Sequence, residues 1–377
     1  MILYHYFGPY HLARLRALTQ LGKSQGMTVA GLEFGSRQIF YAWSATPGDY
    51  GEKYTLFPQK AAEEVSNHQL VPALWSALQR LNPEALAICG HNSIGMLFPL
   101  MWAWMRRRGR ILLMDSKYDD FPRHPAREWV KRRVFSLYHG ALVSGALSRD
   151  YARRLGLAPQ RIFIGSDVVN NHYFAREAEK ARKQASQRRR KLGLPENYFL
   201  CVSRFDEKKN LSRLLQAYAR YRHAAGERAW ALVVVGSGPE ETRLQEEVRQ
   251  LGLSHVYFPG FKQIHELPAY YGLSRCLITP SSHSEQWGLV VNEAMAAGLP
   301  VLVSQACGCA PDLVQEGVNG YLFNPFDVGA MARVMHTMSS DSLNLQVMGE
   351  QSRRIIAEFS PETFARNLLR ALEMARG

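Results

Sequence analysis

The sequence predicts an α/β protein built from two doubly wound, Rossmann-like domains. Apolar strand patterns alternate with amphipathic helix patterns along all 377 residues, and this alternation is typical of parallel sheets covered by helices. A charged tract with no large apolar face lies near the middle of the chain. The length fits two domains, and no internal repeat of 20–50 residues is visible.

The first half opens with an apolar strand at residues 2–7, and the segment 8–11 (GPYH) turns it into a helix. That helix places leucines at three-residue intervals on one side, as a buried helix face requires. Further strands are predicted at 27–34, 85–89, 110–114, 141–144 and 161–165, and helices at 60–81, 94–105, 125–139 and just after Ser148.

The charged tract at 176–195 is predicted to be a linker between an N-terminal domain at 1–175 and a C-terminal domain at 196–377. The last helix is expected to pack back on the N-terminal domain. The second series has strands at 197–203, 231–236, 256–260, 276–280, 301–304 and 321–323, and helices at 210–225, 239–251, 264–271, from 289, near 310–316 and to the end.

Composition favours a cytoplasmic globular protein. Hydrophobic residues make up 46% and charged residues 21%, which argues against a disordered or fibrous chain. Five scattered cysteines do not form a disulfide framework, and Cys307-Gly308-Cys309 supplies too few sulfurs for a metal site. From the residues at the start we expect no signal peptide, and no stretch is predicted to span a membrane.

The charge is concentrated in one half. Residues 1–200 hold 29 basic and 15 acidic side chains, whereas residues 201–377 hold 17 and 18. A basic half can meet phospholipid, a pyrophosphate-linked acceptor or nucleic acid, or it can simply be solvated. Trp102 and Trp104 beside the cluster 106–110 could dock on an anionic bilayer, and so could the tract 182–191; the alternatives are a core helix and a soluble linker.

The segment 280–300 (PSSHSEQWGLVVNEAMAAGLP) carries the strongest chemical signal. Glu285 and Glu293 have seven residues between them, and Gly288 opens a predicted helix between the two. A helix N-terminus suits a phosphate, and carboxylates beside it can accept hydrogen bonds from sugar hydroxyls. The alternative is that both acids only stabilise the start of the helix.

Two cations and a glycine turn follow the first strands of the second half. Arg204 and Lys209 lie in SRFDEKKN, after a strand, where they can clamp a pyrophosphate or be solvated. Gly236 and Gly238 follow the next strand, and glycines there let the backbone approach a ligand closely. The turn does not fit the dinucleotide-binding pattern G-x-G-x-x-G.

Together these segments resemble the retaining glycosyltransferases of family 4, which have the GT-B fold of two Rossmann-like domains facing a cleft. The resemblance rests on SRFDEKKN, the GSGP turn, the PGF strand end, the Glu-x7-Glu pattern in EQWGLVVNEAMAAGLPVLVS and the segment GCAPDLVQEGVNGYLFNP at 308–325. It covers most of 196–330. It extends more weakly into GPYHLARL, DSKYDD and RIFIGSDVVNNHYF of the first half, which resemble a bacterial subset of the family.

The resemblance implies a role for each matching residue. Arg204 and Lys209 would neutralise the donor diphosphate, and Glu285 would accept hydrogen bonds from donor sugar hydroxyls. Phe261 and Lys262 would lie near the base, and Glu293 would bind the ribose hydroxyls. The other donor contacts would be Gly236, Gly238 and the N–H groups of Trp287, Gly288 and Leu289, which would hold donor oxygens.

The resemblance also implies the reaction. A sugar would move with retention from a nucleotide-diphosphate sugar, a UDP-sugar by family frequency, to a glycan or lipid-linked hydroxyl in bacterial surface-glycan synthesis. The departing phosphate would deprotonate the incoming hydroxyl. Because two cations and a helix N-terminus stabilise the leaving group, no metal and no other cofactor is expected. The expected location is the cytoplasm, with peripheral contact to the inner face of the membrane.

In the first domain, candidate acceptor or sugar contacts follow the strand ends. They are Gly8, Tyr10, His11, His91 with Asn92, and Asp115, Ser116 and Lys117. Many family members carry a histidine after the fifth strand, and here Asp115 and Lys117 stand in its place. His11 and His91 could equally be loop histidines satisfied by backbone groups. The adjacent acids Asp119 and Asp120 are expected to be solvated.

Other functions remain as alternatives. A GT-B epimerase or phosphorylase would share the fold, although the Glu-x7-Glu pattern argues against an epimerase. A basic nucleic-acid-binding protein would need a known binding module or aromatics interleaved with cations, and neither is evident. A scaffold without activity is disfavoured because both acids and both cations are present.

Overall fold

The computed structural model describes residues 1–39, 43, 48, 50–91 and 93–375, and it divides them into two compact units. Unit 1 comprises 1–170 and 359–377, and unit 2 comprises 171–358. None of the helices in these ranges combines the length and apolar content that a bilayer span requires.

Unit 1 is a parallel sheet with a helix layer on each face. Its strands lie in the order β3-β2-β1-β4-β5-β6-β7. The strands are β1 (Ile2–Tyr4), β2 (Ala30–Arg37), β3 (Glu52–Ala61), β4 (Ala85–Cys89), β5 (Gly109–Met114), β6 (Gly140–Val143) and β7 (Ile162–Ile164). The helices are α1 (Pro9–Ser24), α2 (Asn67–Leu81), α3 (Ile94–Met105), α4 (Pro125–Phe135), α5 (Ala146–Arg154) and, from the end of the chain, α15 (Pro361–Met374).

Two apolar clusters cover the two faces of this sheet. One is shared by α2, α3, the end of α4 and α5, with Leu74, Leu100 and Phe135 fully buried. The other is formed by α1 and α15, where Leu15 and Leu368 are fully buried. The last helix therefore belongs to unit 1, although the preceding helices belong to unit 2.

Unit 2 repeats the doubly wound plan with the strand order β10-β9-β8-β11-β12-β13. The strands are β8 (Tyr198–Val202), β9 (Ala231–Val235), β10 (Val256–Gly260), β11 (Cys276–Thr279), β12 (Val301–Ser304) and β13 (Gly320–Phe323). The helices are α6 (Asn171–Lys183), α7 (Ala185–Leu192), α8 (Leu211–Ala225), α9 (Glu241–Gln250), α10 (Leu267–Leu273), α11 (Leu289–Ala296), α12 (Ala310–Leu313), α13 (Val328–Met338) and α14 (Leu345–Ile356).

Three parts of the sequence prediction differ from the structure. Most of the predicted linker at 176–195 lies within α6 and α7. Helix α6 buries Phe174, Ala178 and Ala181 and packs on α10, so one aromatic ring and two alanines are enough to dock it. The division between the units also falls earlier than predicted, at 170/171. The start of the helix predicted over 60–81 instead ends β3, an edge strand that tolerates Pro58.

Candidate functional site

In each unit, the connections reverse direction between two adjacent strands, and polar loops follow both strands. In unit 2 this switch point lies between β8 and β11. In doubly wound sheets, ligands bind outside the carboxyl ends of the strands at such a point. Here the two loops are residues 203–210 and 280–288, and the Ser282 N–H joins them by donating to the Lys208 carbonyl at 2.9 Å.

The two loops bring Lys209 and Glu285 together. The Lys209 Nζ donates to Glu285 Oε2, and Ser281 Oγ donates to the same oxygen at 2.9 Å. Both charged side chains keep limited solvent access, 17% for Lys209 and 14% for Glu285. Burial acts to raise the pKa of Glu285, but Lys209, Ser281 and Lys208 outweigh it and lower that pKa. The structure thus holds an ionised carboxylate against an ammonium at the switch point.

Arg204 lies in the same loop as Lys209. Its Nη2 donates to Asp206 Oδ2 at 2.8 Å, and the arginine side chain is 36% exposed. A partly exposed guanidinium can exchange or share a carboxylate partner with a phosphate, because it presents several donors. This loop therefore supplies two cations, as the sequence predicts.

The helix N-terminus predicted after Glu285 is present. Gly288 adopts a left-handed conformation with φ +109° and precedes α11, which starts at Leu289. A non-glycine residue would be strained at that backbone angle. Trp287 is buried and its Nε1 donates to Asn292 Oδ1 at 2.8 Å, so its ring belongs to the core.

The segment before α11 is held by a second loop that sequence reasoning did not single out. The Gly308 N–H donates to the Glu285 carbonyl at 2.9 Å, and the Cys309 N–H donates to the Trp287 carbonyl at 3.1 Å. A Cβ at Gly308 would lie 1.7 Å from the Gln286 carbonyl oxygen. The available signal was the segment GCAPD. It formed part of the family resemblance, but the sequence assigned no role to Gly308.

Asn210 is a second residue that sequence reasoning missed. It is buried, it has the left-handed φ of +59°, and its Nδ2 donates to the Pro280 carbonyl at 3.0 Å and the Pro325 carbonyl at 2.9 Å. One side chain thereby joins the loops that follow β8, β11 and β13. The available signal was an asparagine directly before α8, because asparagine tolerates the left-handed region and favours helix starts.

The structure places Glu293 in the interior of unit 2. Its residue exposure is 0%, and the Tyr271 hydroxyl donates to Glu293 Oε2 at 2.5 Å. The contact of Glu293 with a ribose remains a prediction. For that contact, the ribose hydroxyls would have to reach the buried carboxylate through the first turn of α11.

The glycines of the turn after β9 have a structural role. A Cβ at Gly236 would lie 1.8 Å from the Ser203 carbonyl oxygen, and one at Gly238 would lie 2.5 Å from the Phe205 carbonyl oxygen. The turn is thus pressed against the loop that carries Arg204. Phe261 and Lys262 follow β10 as predicted, and the Lys262 ammonium lies 6.0 Å from the centre of the Tyr270 ring.

In unit 1, the loop after β1 begins α1. The Gly8 N–H donates to His11 Nδ1 at 3.2 Å, and the His11 ring packs 4.1 Å from the Tyr4 ring centre. Burial and the nearby Arg14 and His5 hold the pKa of His11 well below its usual value. His11 is therefore a neutral group that stabilises the helix start. Tyr10 is half-buried, with its ring 6.3 Å from that of Trp43.

His91 follows β4 on the other side of the unit 1 switch point. It is buried, its ring lies 5.1 Å from the Phe135 ring, and burial with Lys131 lowers its pKa to about 4. Within the described ranges, its Nδ1 has no hydrogen-bond partner; the candidate Asn92 beside it lies outside them.

Asp115 and Lys117 follow β5 but differ in environment. Asp115 is exposed as a residue. Desolvation of its carboxyl group by the neighbouring protein, together with the Asp167 carboxylate, raises its pKa to about 7. Lys117 is buried, with its Nζ 2.9 Å from Asp119 Oδ1 and 3.4 Å from Asp120 Oδ1. The prediction that both acids are solvated is wrong for Asp120, which is buried with this lysine.

No cluster of three or more metal-ligating side chains occurs in the part of the chain that the structure describes. All five cysteines are free thiols, and four of them, including Cys307 and Cys309, are buried.

Comparison with known proteins shows what unit 2 and the whole fold resemble. Residues 183–355, which include every donor-site candidate in unit 2, match the family described as "Glycosyl transferases group 1". The O-antigen chain mannosyltransferase C of Escherichia coli is 31% identical over 165 residues, 43% of this chain and 42% of that protein. The chain spans about half the length of the curated relatives it matches, from 39% to 58%.

Solved structures match the whole chain at low identity. HepE of Anabaena, in complex with UDP, has a TM-score of 0.71 at 17% identity and covers 99% of both chains. A glycosyltransferase from Rickettsia africae has a TM-score of 0.74 at 13% identity, covering 100% of this chain and 98% of its own. The predicted fold class, α/β with two doubly wound Rossmann-like domains, is thereby confirmed.

Proposed function

We propose that this protein is a retaining glycosyltransferase of family 4 that transfers a sugar from a nucleotide-diphosphate sugar, a UDP-sugar, to a hydroxyl group. The observation that carries the proposal is the Lys209–Glu285 pair, held at the switch point of unit 2 beside the N-terminus of α11. Such a site combines cations for a diphosphate with an acceptor for sugar hydroxyls. The UDP complex of HepE is consistent with this donor class.

The proposed chemistry places negative charge where the cations are. The bond between the anomeric carbon and the diphosphate oxygen breaks, and the acceptor oxygen forms its new bond on the same face of the sugar. The acceptor proton passes to the departing phosphate. Lys209 and Arg204 stabilise the diphosphate as its charge develops, which is electrostatic preorganisation. Because these cations meet the leaving group directly, the proposal requires no divalent metal and no other cofactor.

Glu285 has a positioning task in this scheme. Its low pKa keeps it ionised at neutral pH, so it accepts hydrogen bonds from donor sugar hydroxyls. It also fixes the Lys209 ammonium before the donor arrives.

Unit 1 takes the acceptor, which we propose to be a glycan or a lipid-linked sugar in bacterial surface-glycan synthesis. Its candidate contacts are Gly8, Tyr10, His91 and Asp115.

We further propose a cytoplasmic location with peripheral contact at the inner face of the cytoplasmic membrane. The relation to an O-antigen mannosyltransferase supports the surface-glycan role.

A donor panel tests the proposed function. The purified protein is mixed with UDP-, GDP- and dTDP-sugars, and thermal stabilisation and slow release of free sugar are measured. A UDP-sugar should stabilise the protein and be hydrolysed, and Glu285→Gln should lower the hydrolysis rate by about 10²-fold or more. The anomeric configuration of the first product, read by NMR, separates retention from inversion. Conversion of the donor without transfer would instead indicate an epimerase, and dependence on inorganic phosphate a phosphorylase.

A further inference from the structure

Three tryptophans are exposed on one helix layer of unit 1. Trp75 on α2, Trp104 on α3 and Trp129 on α4 are 47%, 49% and 59% exposed, although these helices share one buried core cluster. We call the outward side of these helices the tryptophan face. Exposed apolar side chains extend it, namely Met101, Met105 and Val130. Large indole rings exposed on three helices of a single layer leave apolar surface that an interaction partner could cover.

Exposed arginines lie on α4 or directly after α3, the helices that carry Trp129 and Trp104. Arg107 follows the end of α3, and Arg132 and Arg133 lie on α4; all three are exposed. The Arg133 guanidinium lies 5.2 Å from the centre of the Trp129 ring. Helices α4 and α5 carry seven arginine or lysine residues against two acidic residues.

Both acidic residues of α4 and α5 are already engaged. Glu128 accepts a hydrogen bond from the Tyr151 hydroxyl at 2.9 Å and pairs with Lys131 at 2.9 Å. Asp150 lies 3.7 Å from Arg153 and 3.5 Å from Arg149. The arginines beside Trp129 therefore give this surface a positive potential.

Two adjoining hollows lie on this surface. One, of about 410 Å³, is lined by Trp129, Arg132, Arg133, Ser136 and Arg154. The other, of about 290 Å³, shares Arg132 and Arg154 and adds Tyr118, Arg123 and the carboxylate of Glu128, which is already engaged by Tyr151 and Lys131. Concave pockets lined by guanidinium groups can receive phosphate oxygens, because each guanidinium presents a planar fork of donors.

The contacts that hold α4 against unit 1 explain why its outer side can carry apolar and charged side chains. Phe135 is the one fully buried residue of α4, and the helix is held by the polar network of Tyr151, Glu128, Lys131 and Arg123. The exposed Trp129 therefore has no role in the core of unit 1.

We infer that the tryptophan face docks on a bilayer that contains anionic phospholipid. Its cations would bind lipid phosphates while its indole rings enter the interfacial region, where amphipathic aromatic rings are favoured. The surface differs from the one that the sequence predicted, because Trp102 and Arg110 are buried, whereas Trp104 is exposed. The inference rests on the proposed membrane location but is independent of sugar transfer.

Vesicle binding tests this inference. The full chain is co-sedimented with vesicles of phosphatidylcholine alone or mixed with phosphatidylglycerol, at low and high salt. Binding is expected only with phosphatidylglycerol, and high salt should weaken it. The variant Arg107→Gln/Arg132→Gln/Arg133→Gln should lower the partition coefficient by about tenfold or more. A matched control, Lys183→Gln/Arg190→Gln/Lys191→Gln, removes three exposed charges from α6 and α7 and should bind within twofold of the wild type.

Quenching by brominated lipids locates the rings. Bromine on the acyl chains should quench the wild type, and Trp104→Ser/Trp129→Ser should reduce that quenching. Circular dichroism establishes that each variant folds. Failure of the wild type to bind at low salt, or equal losses in both triple variants, would overturn the inference. So would self-association of the wild type that Trp104→Ser/Trp129→Ser abolishes, since a second copy of the chain would then cover the face. Donor hydrolysis, measured separately, reports on the proposed reaction alone.

Discussion

The Lys209 ammonium contacts the Glu285 carboxylate although 76 positions separate the two residues in the chain. They are brought together because β8 and β11 are neighbours in the sheet, so the loops after both strands meet at one edge. This pair fixes the place where the proposed donor diphosphate and sugar must lie. The strand order of unit 2 thus creates a charged site that neither loop could form alone.

Removing either member of this pair should disable catalysis. We expect Glu285→Gln and Lys209→Ala each to lower kcat/KM by about 10²-fold or more, since one preorganised contact to developing charge is worth ~2.7–4 kcal/mol. Steady-state kinetics with the donor found by the panel measures this. Glu207→Gln, an exposed change in the same loop, is the control and should retain near-wild-type turnover. Normal turnover in both folded variants would contradict the site.

Asn210 should matter for both stability and donor binding. Asn210→Gly keeps the left-handed backbone but leaves the Pro280 and Pro325 carbonyls without this donor. We expect it to lower the free energy of unfolding by ~1–3 kcal/mol and to raise the KM for the donor. Asn210→Ala should cost a further ~1 kcal/mol from backbone strain. Urea unfolding and kinetics measure both effects, and unchanged values for Asn210→Gly would show that the amide does not hold the loops.

Gly308→Ala should displace the segment that precedes α11. The added Cβ would meet the Gln286 carbonyl oxygen at 1.7 Å, and backbone cannot yield as a flexible side chain does. We expect donor affinity, measured by calorimetry, to fall at least about tenfold, because misplaced contacts weaken binding steeply. Gly252→Ala is the control: nothing lies within 4 Å of its Cβ, so only its positive φ should cost stability. Equal donor affinity in the two variants would argue against a role for the Gly308 contact.

His91 should make unit 1 less stable in mild acid. Its pKa is about 4 in the folded chain against 6.5 for an unperturbed histidine, so the unfolded chain binds more protons between these values. The free energy of unfolding should therefore fall as pH drops from about 6.5 to 4, by at most ~3 kcal/mol. His91→Gln should flatten this part of the profile in urea titrations. An identical slope in the variant would show that other groups cause the loss.

Much of unit 2 could be predicted from the sequence because its chemistry lies in local signals. The strand ends, the two cations, Glu285 and the glycine before α11 are readable from short segments, and strand order then assembles them. The role of Gly308 depends on a carbonyl 22 positions earlier in the chain, and that of Asn210 depends on two prolines from distant loops. Contacts of this kind depend on the packing of loops, which no local pattern encodes.

Unit 1 shows where sequence patterns fail. The edge strand β3 has intermediate burial and a proline, so it lacks the apolar run by which the other strands were recognised. Asp120 looks like a solvent-facing charge and Lys117 like a ligand contact, yet the two side chains pair with each other in the interior. Trp102 and Trp104 lie two positions apart on α3 and consequently face opposite ways, one into the core and one outward.

Chelation of divalent metals should leave the reaction intact. In the proposed site, the Lys209 ammonium and the Arg204 guanidinium occupy the place where a metal would otherwise neutralise the diphosphate, and α11 adds the positive end of a helix. We therefore expect transfer rates in excess EDTA to stay within about twofold of those with Mg²⁺ or Mn²⁺, because direct cations can supply the transition-state stabilisation. The Lys209→Ala variant provides the contrast: if added Mg²⁺ restores part of its activity, the lysine performs the electrostatic task that a metal can perform. Wild-type activity abolished by EDTA and restored by Mg²⁺ or Mn²⁺ would show that these side chains are insufficient for the leaving group.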